Sequence, residues 1–195
     1  MTIPSIVRAP LCLMVLLLPE VAHAHPGHEI AAQPLLSGML HPLTGADHLA
    51  AMVMVGLWGG MLAGRARWGV PAAFMAAMVV GFGTALAGAT PFQPIAVAEW
   101  GIVLSVLVLG VALALRMRTS LVAACVLSGG FGFAHGMAHG LEAPGHGMAS
   151  FAVGFVVATA ALHVLGVEIA RRVPGAWMRS LGVVGTGLGV MLVVS

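Results

Sequence analysis

Two short segments gather six of the fifteen histidine and acidic residues, the groups that could do chemistry: His41-Pro42-Leu43-Thr44-Gly45-Ala46-Asp47-His48 and His135-Gly136-Met137-Ala138-His139-Gly140-Leu141-Glu142, both set in otherwise apolar sequence. Neutral imidazole and carboxylate donors suit nickel, cobalt, zinc or copper, and they bind without the near-irreversible hold of several thiolates. If each segment is one continuous helix, His41 and His48 lie about 20° apart around the axis and roughly 10 Å apart along it, and Asp47 lies about 100° from His48. In the second segment His135 and His139 are about 40° apart, and Glu142 returns to within about 20° of His135. The plainer alternative is that these groups cap helices or hydrogen-bond to neighbours. Ionisable groups at membrane depth are costly, however, and usually mark a pathway, relay or ligand site.

Weaker candidates lie elsewhere. His163 and Glu168 are about 140° apart on one helix, so only His163 reads as interior, while Glu168 has Arg171 and Arg172 as natural partners. Glu99 is either a ligand or relay, or an interfacial carboxylate already satisfied. His25 and His28, beside a new amino terminus, form an external capture site or a disordered end. Met52, one turn after His48, reads as a gap-filling core residue. Cys125 is the one thiol left once Cys12 is removed with the leader, so no intrachain disulfide can form, and it reads as a packing residue.

The composition shows what must position these groups. Apolar residues make up 60% of the chain and charged residues 7%, with a mean hydropathy of +1.06. That is too little polar surface for a soluble globule, so the principal partner is a lipid bilayer. The basic residues are all Arg and fall mainly in short turns, which orients helices in a membrane and argues against a nucleic-acid partner.

Residues 1–24 read as a secretory signal, with Arg8 before an apolar core and Ala22-His23-Ala24 as the cleavage site, leaving residues 25–195 as the transport domain. Six apolar stretches follow, at 37–62, 70–88, 95–115, 121–141, 148–170 and 176–194, each long enough to cross a hydrocarbon core of about 30 Å. Pro71 marks a helix start, and Pro91, Pro94, Pro144 and Pro174 mark connections. Arg65 and Arg67, then Arg116 and Arg118, then Arg171, Arg172 and Arg179 make every second connection basic. The expectation is an all-α polytopic bundle of six transmembrane helices in a bacterial inner membrane, with both mature ends periplasmic.

The stripes Gly56/Gly60/Gly64, Gly132/Gly136/Gly140 and Gly185/Gly189 read as helix-packing seams. The first and fourth spans each carry a His cluster and a Gly stripe, which points to an inverted repeat of three helices plus three. With this topology His41, Glu99, His139 and Glu142 lie near the outer surface. Asp47, His48 and His135 lie deeper, and His163 lies in the cytoplasmic half. Such a descending series suits permeation, which needs binding firm enough to load and weak enough to release.

These motifs resemble the HupE/UreJ family of hydrogenase and urease accessory membrane proteins. The resemblance rests on Ala-His-Ala followed by His25-Pro-Gly-His28, on His41-Pro-x-x-Gly-x-Asp47-His48, on His135-Gly-x-x-His139-Gly-x-Glu142, and on Leu162-His163 with Gly166. It covers essentially the whole chain. It implies a secondary permease or facilitator for nickel, or for cobalt as in some relatives, with an indirect link to hydrogenase or urease maturation. The metal is then transported substrate, and no cofactor is permanently bound. The broader nickel/cobalt transporter family has one residue fewer between its His and Asp, so its ligand roles do not transfer unaltered.

Two other classes stay open at this level: an intramembrane metal-dependent hydrolase and a haem-binding electron carrier. The first lacks His-Glu-x-x-His. A homo-oligomer is also open.

Overall fold

The structure, a computed structural model, describes residues 33–88 and 94–194. The leader 1–24, His25, His28 and Pro91 lie outside the described residues. Within them the chain forms seven helices: α1 (Pro34–Thr44), α2 (Ala46–Leu62), α3 (Ala66–Leu86), α4 (Pro94–Ala114), α5 (Leu121–Leu141), α6 (Met148–Arg172) and α7 (Gly175–Val194). Five of these, α3 to α7, are long and apolar enough to cross a membrane, and α1 and α2 qualify only when joined.

That join corrects the expectation of a continuous first span. The two helices bend by 82° at Gly45. Pro42 lacks the N–H that would continue the ladder back to Gly38, and the Thr44 hydroxyl donates to the His41 carbonyl at 2.9 Å. Gly45 is extended at φ −96°, ψ 125°. The chain restarts at Ala46 with Asp47 in the first turn, where a carboxylate favours the helix N-terminus. His41 and His48 therefore face each other across a corner instead of sharing one helical stripe.

A second difference concerns Pro71, which lies inside α3 and not at its start. Ala63 and Gly64, at φ 60° and 53°, turn the chain so tightly that α3 begins at Ala66. Gly64 thus serves the turn, while Gly56 and Gly60 serve packing: a Cβ on Gly56 would overlap the His163 carbonyl, and one on Gly60 would meet the Ala170 side chain at 2.6 Å.

Close backbone contacts give the packing register. Gly132, Gly136 and Gly140 of α5 meet Phe74, Met78 and Phe82 of α3 in the same order, so these helices run parallel. Gly56 and Gly60 of α2 meet His163 and Val167 of α6 in the same sense. Gly110 and Ala114 of α4 meet Thr186 and Gly182 of α7 in the opposite sense. These are the orientations of a chain that reverses at each connection, and helices approach closely in this way because lipid supplies little hydrophobic drive between them. Arg65, Arg67, Arg116, Arg118, Arg171, Arg172 and Arg179 consequently gather at one end, where the Arg116 guanidinium lies against Gly175. His41 and Glu142 mark the other end. Val79, Val97, Val122, Val126, Val153 and Val183 remain exposed on the outside. An apolar exterior around a closely packed interior is that of a multi-pass membrane protein.

Candidate metal-binding site

At the end opposite the arginines, the last turn of α1, the first turn of α2 and the last turn of α5 converge. His41, His48 and His139 each offer a ring nitrogen there, and these atoms lie within 4.8 Å of one another. Ring centroids are 4.5 Å apart for His41–His139, 4.7 Å for His48–His139 and 6.0 Å for His41–His48. Donor nitrogens around one ion at metal–nitrogen distances of about 2.0–2.1 Å would stand about 3–4 Å apart, so the cluster is slightly wider than a closed site.

Carboxylates flank the imidazoles on two sides. Glu142, just past the end of α5, sets Oε2 3.4 Å from His41 Nε2 and 3.9 Å from His139 Nδ1. The His41 imidazole holds the Glu142 carboxyl below the usual carboxylate range, against its partial burial, which pushes the other way. Asp47 Oδ1 accepts from the His48 backbone N–H and lies 2.7 Å from His48 Nδ1. A carboxylate on Nδ1 fixes that nitrogen as the donor and turns the Nε2 lone pair toward a ligand.

Below this tier the same device recurs with carbonyls. His135 Nδ1 lies 2.8 Å from the Phe131 carbonyl, and His163 Nδ1 lies 2.7 Å from the Met52 carbonyl. A carbonyl can only accept, so each Nδ1 carries the proton and each Nε2 keeps a lone pair. Nε2 of His48, His135 and His163, and both ring nitrogens of His139, are buried without a hydrogen-bond partner. Leaving such a group unpaired costs about 1–3 kcal/mol each. A series of lone pairs sustained at that cost is chemically suited to a cation.

The structure thus brings together six residues expected from sequence: His41, Asp47, His48, His135, His139 and Glu142. His135 joins through His48, at 5.4 Å between ring centroids. His163 stands apart, because the Phe74 ring intervenes at 5.1 Å from both His135 and His163. Glu99 is exposed on α4 and lies outside the cluster. Glu168 pairs with Arg171 and Arg172 at the far end, as its spacing suggested.

Sequence reasoning missed Phe74 and Phe155. Phe155 packs its ring 4.1 Å from His139, and both phenylalanines are almost wholly buried. An aromatic residue in an apolar helix carries no mark of which neighbour it will meet, so neither could have been found by type or spacing.

Comparison with known proteins gives consistent results. The family described as HupE / UreJ protein matches residues 13–193. Protein HupE of Rhizobium leguminosarum bv. viciae is 38% identical over 161 residues, covering 81% of this chain and 80% of the relative. No solved structure matches.

Proposed function

The chain belongs to the HupE/UreJ family, and on that premise we propose that it is a secondary permease or facilitator for a divalent transition metal, with nickel the preferred cargo and cobalt the next. Its role is to supply hydrogenase or urease maturation, and it acts as a carrier with no catalytic step of its own. Nickel follows from the family resemblance. The path follows from the buried imidazole lone pairs, and that single observation carries the proposal.

The arginine end faces the cytoplasm, as the positive-inside tendency requires. The mature ends and the histidine tier then face the periplasm of a bacterial inner membrane, after removal of residues 1–24. Partly exposed Glu142 and His41 meet the ion first. His48 and His139 complete a nitrogen-rich site, His135 lies one step below, and His163 receives the ion beyond Phe74. Asp47 and Glu142 offset the charge of the ion. Next to His163 the seam between Gly56 and Gly166 packs backbone against backbone.

The packing also favours six spans arranged as an inverted repeat of three plus three, with α1 and α2 taken as one span. Spans one and five, two and four, and three and six form the main pairs. Exchanging the first three spans with the last three maps this set of pairs onto itself. An exchange of this kind is expected of two units that fold alike.

The test is nickel uptake by proteoliposomes containing the purified chain. Replacing Asp47, His48 and His135 together with Ala should lower uptake by more than about a hundredfold. Unchanged uptake would overturn the proposal.

A further inference from the structure

Among the described residues, the fully buried polar side chains are Ser105, Ser128, His135, His139, Thr159 and His163. Two of the hydroxyls are satisfied by carbonyls: Ser105 donates to Ile102 at 2.6 Å and Ser128 donates to Val70 at 2.9 Å. The less buried Thr84 and Thr186 each donate to the carbonyl four residues back at 2.8 Å, the usual recourse of a hydroxyl in an apolar helix. Thr159 does neither. Its Oγ1 is buried and makes no hydrogen bond, a condition it shares with the imidazoles of the path and not with the other hydroxyls.

Its position matches that condition. Thr159 is four residues after Phe155 and four before His163, so the three form one stripe along α6, with neighbours about 6 Å apart along the axis. The Phe155 ring touches His139 of the upper tier, and His163 is the lower imidazole, held by the Met52 carbonyl. Thr159 is the polar side chain between them on that stripe.

We propose that Thr159 is a further station on the ion's path, its hydroxyl oxygen accepting a hydrogen bond from water carried by the divalent cation between the histidine tier and His163. The inference rests on the transport reading above. An ion leaving three imidazoles for one gives up protein ligands, and water must fill the vacated positions. Water on a divalent cation is a strengthened donor that needs an acceptor in this apolar interior. Phe74 and Phe155 offer none, whereas the Thr159 oxygen does. Loss of the hydroxyl should therefore slow passage between the tiers and leave binding at the upper tier intact.

The full-length chain, reconstituted in proteoliposomes and supplied with Ni2+ alone, tests this. Thr159→Val keeps the shape and removes the hydroxyl, and Thr159→Ser keeps the hydroxyl and removes the methyl. The Val variant should lose about tenfold in maximal uptake rate, the scale of one hydrogen bond. Its half-saturating nickel concentration, and equilibrium nickel binding to the detergent-purified protein, should match wild type, and the Ser variant should transport within about twofold of wild type. Wild-type rates in the Val variant, equal losses in Val and Ser, or loss of equilibrium binding in the Val variant would each overturn the assignment. If the Val variant does not purify as a single species, Thr159→Ala against Thr159→Ser decides by the same criterion, equal rates overturning it. Failure of the wild-type chain to move nickel would instead overturn the transport reading, and this inference with it.

Discussion

At the arginine end, Glu168 lies 2.6 Å from Arg171 and 2.9 Å from Arg172, and both guanidinium groups are largely exposed. At the histidine end, His135 and His139 are fully buried and keep ring nitrogens without partners. Both regions hold ionisable side chains near the end of an apolar bundle, but Glu168 is paired by two exposed arginines, whereas the buried imidazoles keep unpaired ring nitrogens. Paired, exposed charges at a helix terminus anchor and orient the helix, and each pair contributes little to stability. Buried lone pairs without partners are stable only when something cationic joins them or when the rest of the fold outweighs their cost. The difference predicts that substitutions at the histidine end act on metal handling and those at the arginine end act weakly on anchoring.

The largest effect should come from Asp47→Ala. Asp47 holds Nδ1 of His48 at 2.7 Å, and removing the orienting partner of a metal-binding imidazole costs about 10–100-fold in affinity. Equilibrium nickel binding to the purified protein measures this, and an affinity within a factor of two of wild type would erase the contrast between the two ends.

Gly45→Ala should act through the same pair, with a loss of about tenfold at the lower end of that range. At φ −96° the backbone there is open to any residue, so the fold should tolerate alanine. The new Cβ would lie 2.7 Å from Asp47 Oδ1 and 3.0 Å from His48 Nδ1, both side-chain atoms able to move aside. The expected signature is weaker nickel binding with an unchanged unfolding temperature. A lower melting temperature with intact binding would show that Gly45 serves only the bend.

How far the sequence revealed this site depended on whether a helix ran unbroken through it. His135, His139 and Glu142 were legible as one stripe because α5 is continuous from Leu121 to Leu141, so angular spacing translated directly into neighbourhood. His41 and His48 were legible as a pair but in the wrong geometry. Pro42 and Gly45 were both visible, yet proline is tolerated inside membrane helices, so residue type alone did not fix whether or where the chain breaks. The turn after the first span was likewise misread, since the positive φ of Ala63 is not encoded in an alanine. Most apolar boundaries and the gathering of the described arginines at one end were legible, because hydrocarbon thickness and charge placement act on the chain locally. The roles of Phe74, Phe155 and Thr159 depend on contacts between distant helices, and residue type alone cannot specify those.

A smaller effect is expected at Glu142. Glu142 is held below the usual carboxylate range by His41, so it stays ionised between pH 7 and 5.5, and its contribution to capturing the cation is lost only at still lower pH. Glu142→Gln should therefore lower nickel uptake several-fold, by the same factor at pH 7 and at pH 5.5. A ratio of wild-type to variant uptake that falls toward one at pH 5.5 would show that the carboxylate is already protonated there and would remove it from the binding end.

The smallest effect tests the other side of the comparison. Glu168→Gln removes a carboxylate that bridges Arg171 and Arg172, three and four residues later on α6. Exposed pairs at these spacings contribute about 0.3–0.5 kcal/mol each, and the arginines keep their charge and their place at the membrane surface, so orientation should hold. Nickel uptake and binding should stay within about twofold of wild type, with at most a slight fall in unfolding temperature. Glu168 lies five residues beyond His163, about 140° around the helix axis, so a direct effect on the ion path is not expected. If Glu168→Gln instead lowered maximal uptake as strongly as the Asp47 variant, the exit from His163 would run past this carboxylate. The arginine end would then belong to the path, and the division between a binding end and an anchoring end would fail.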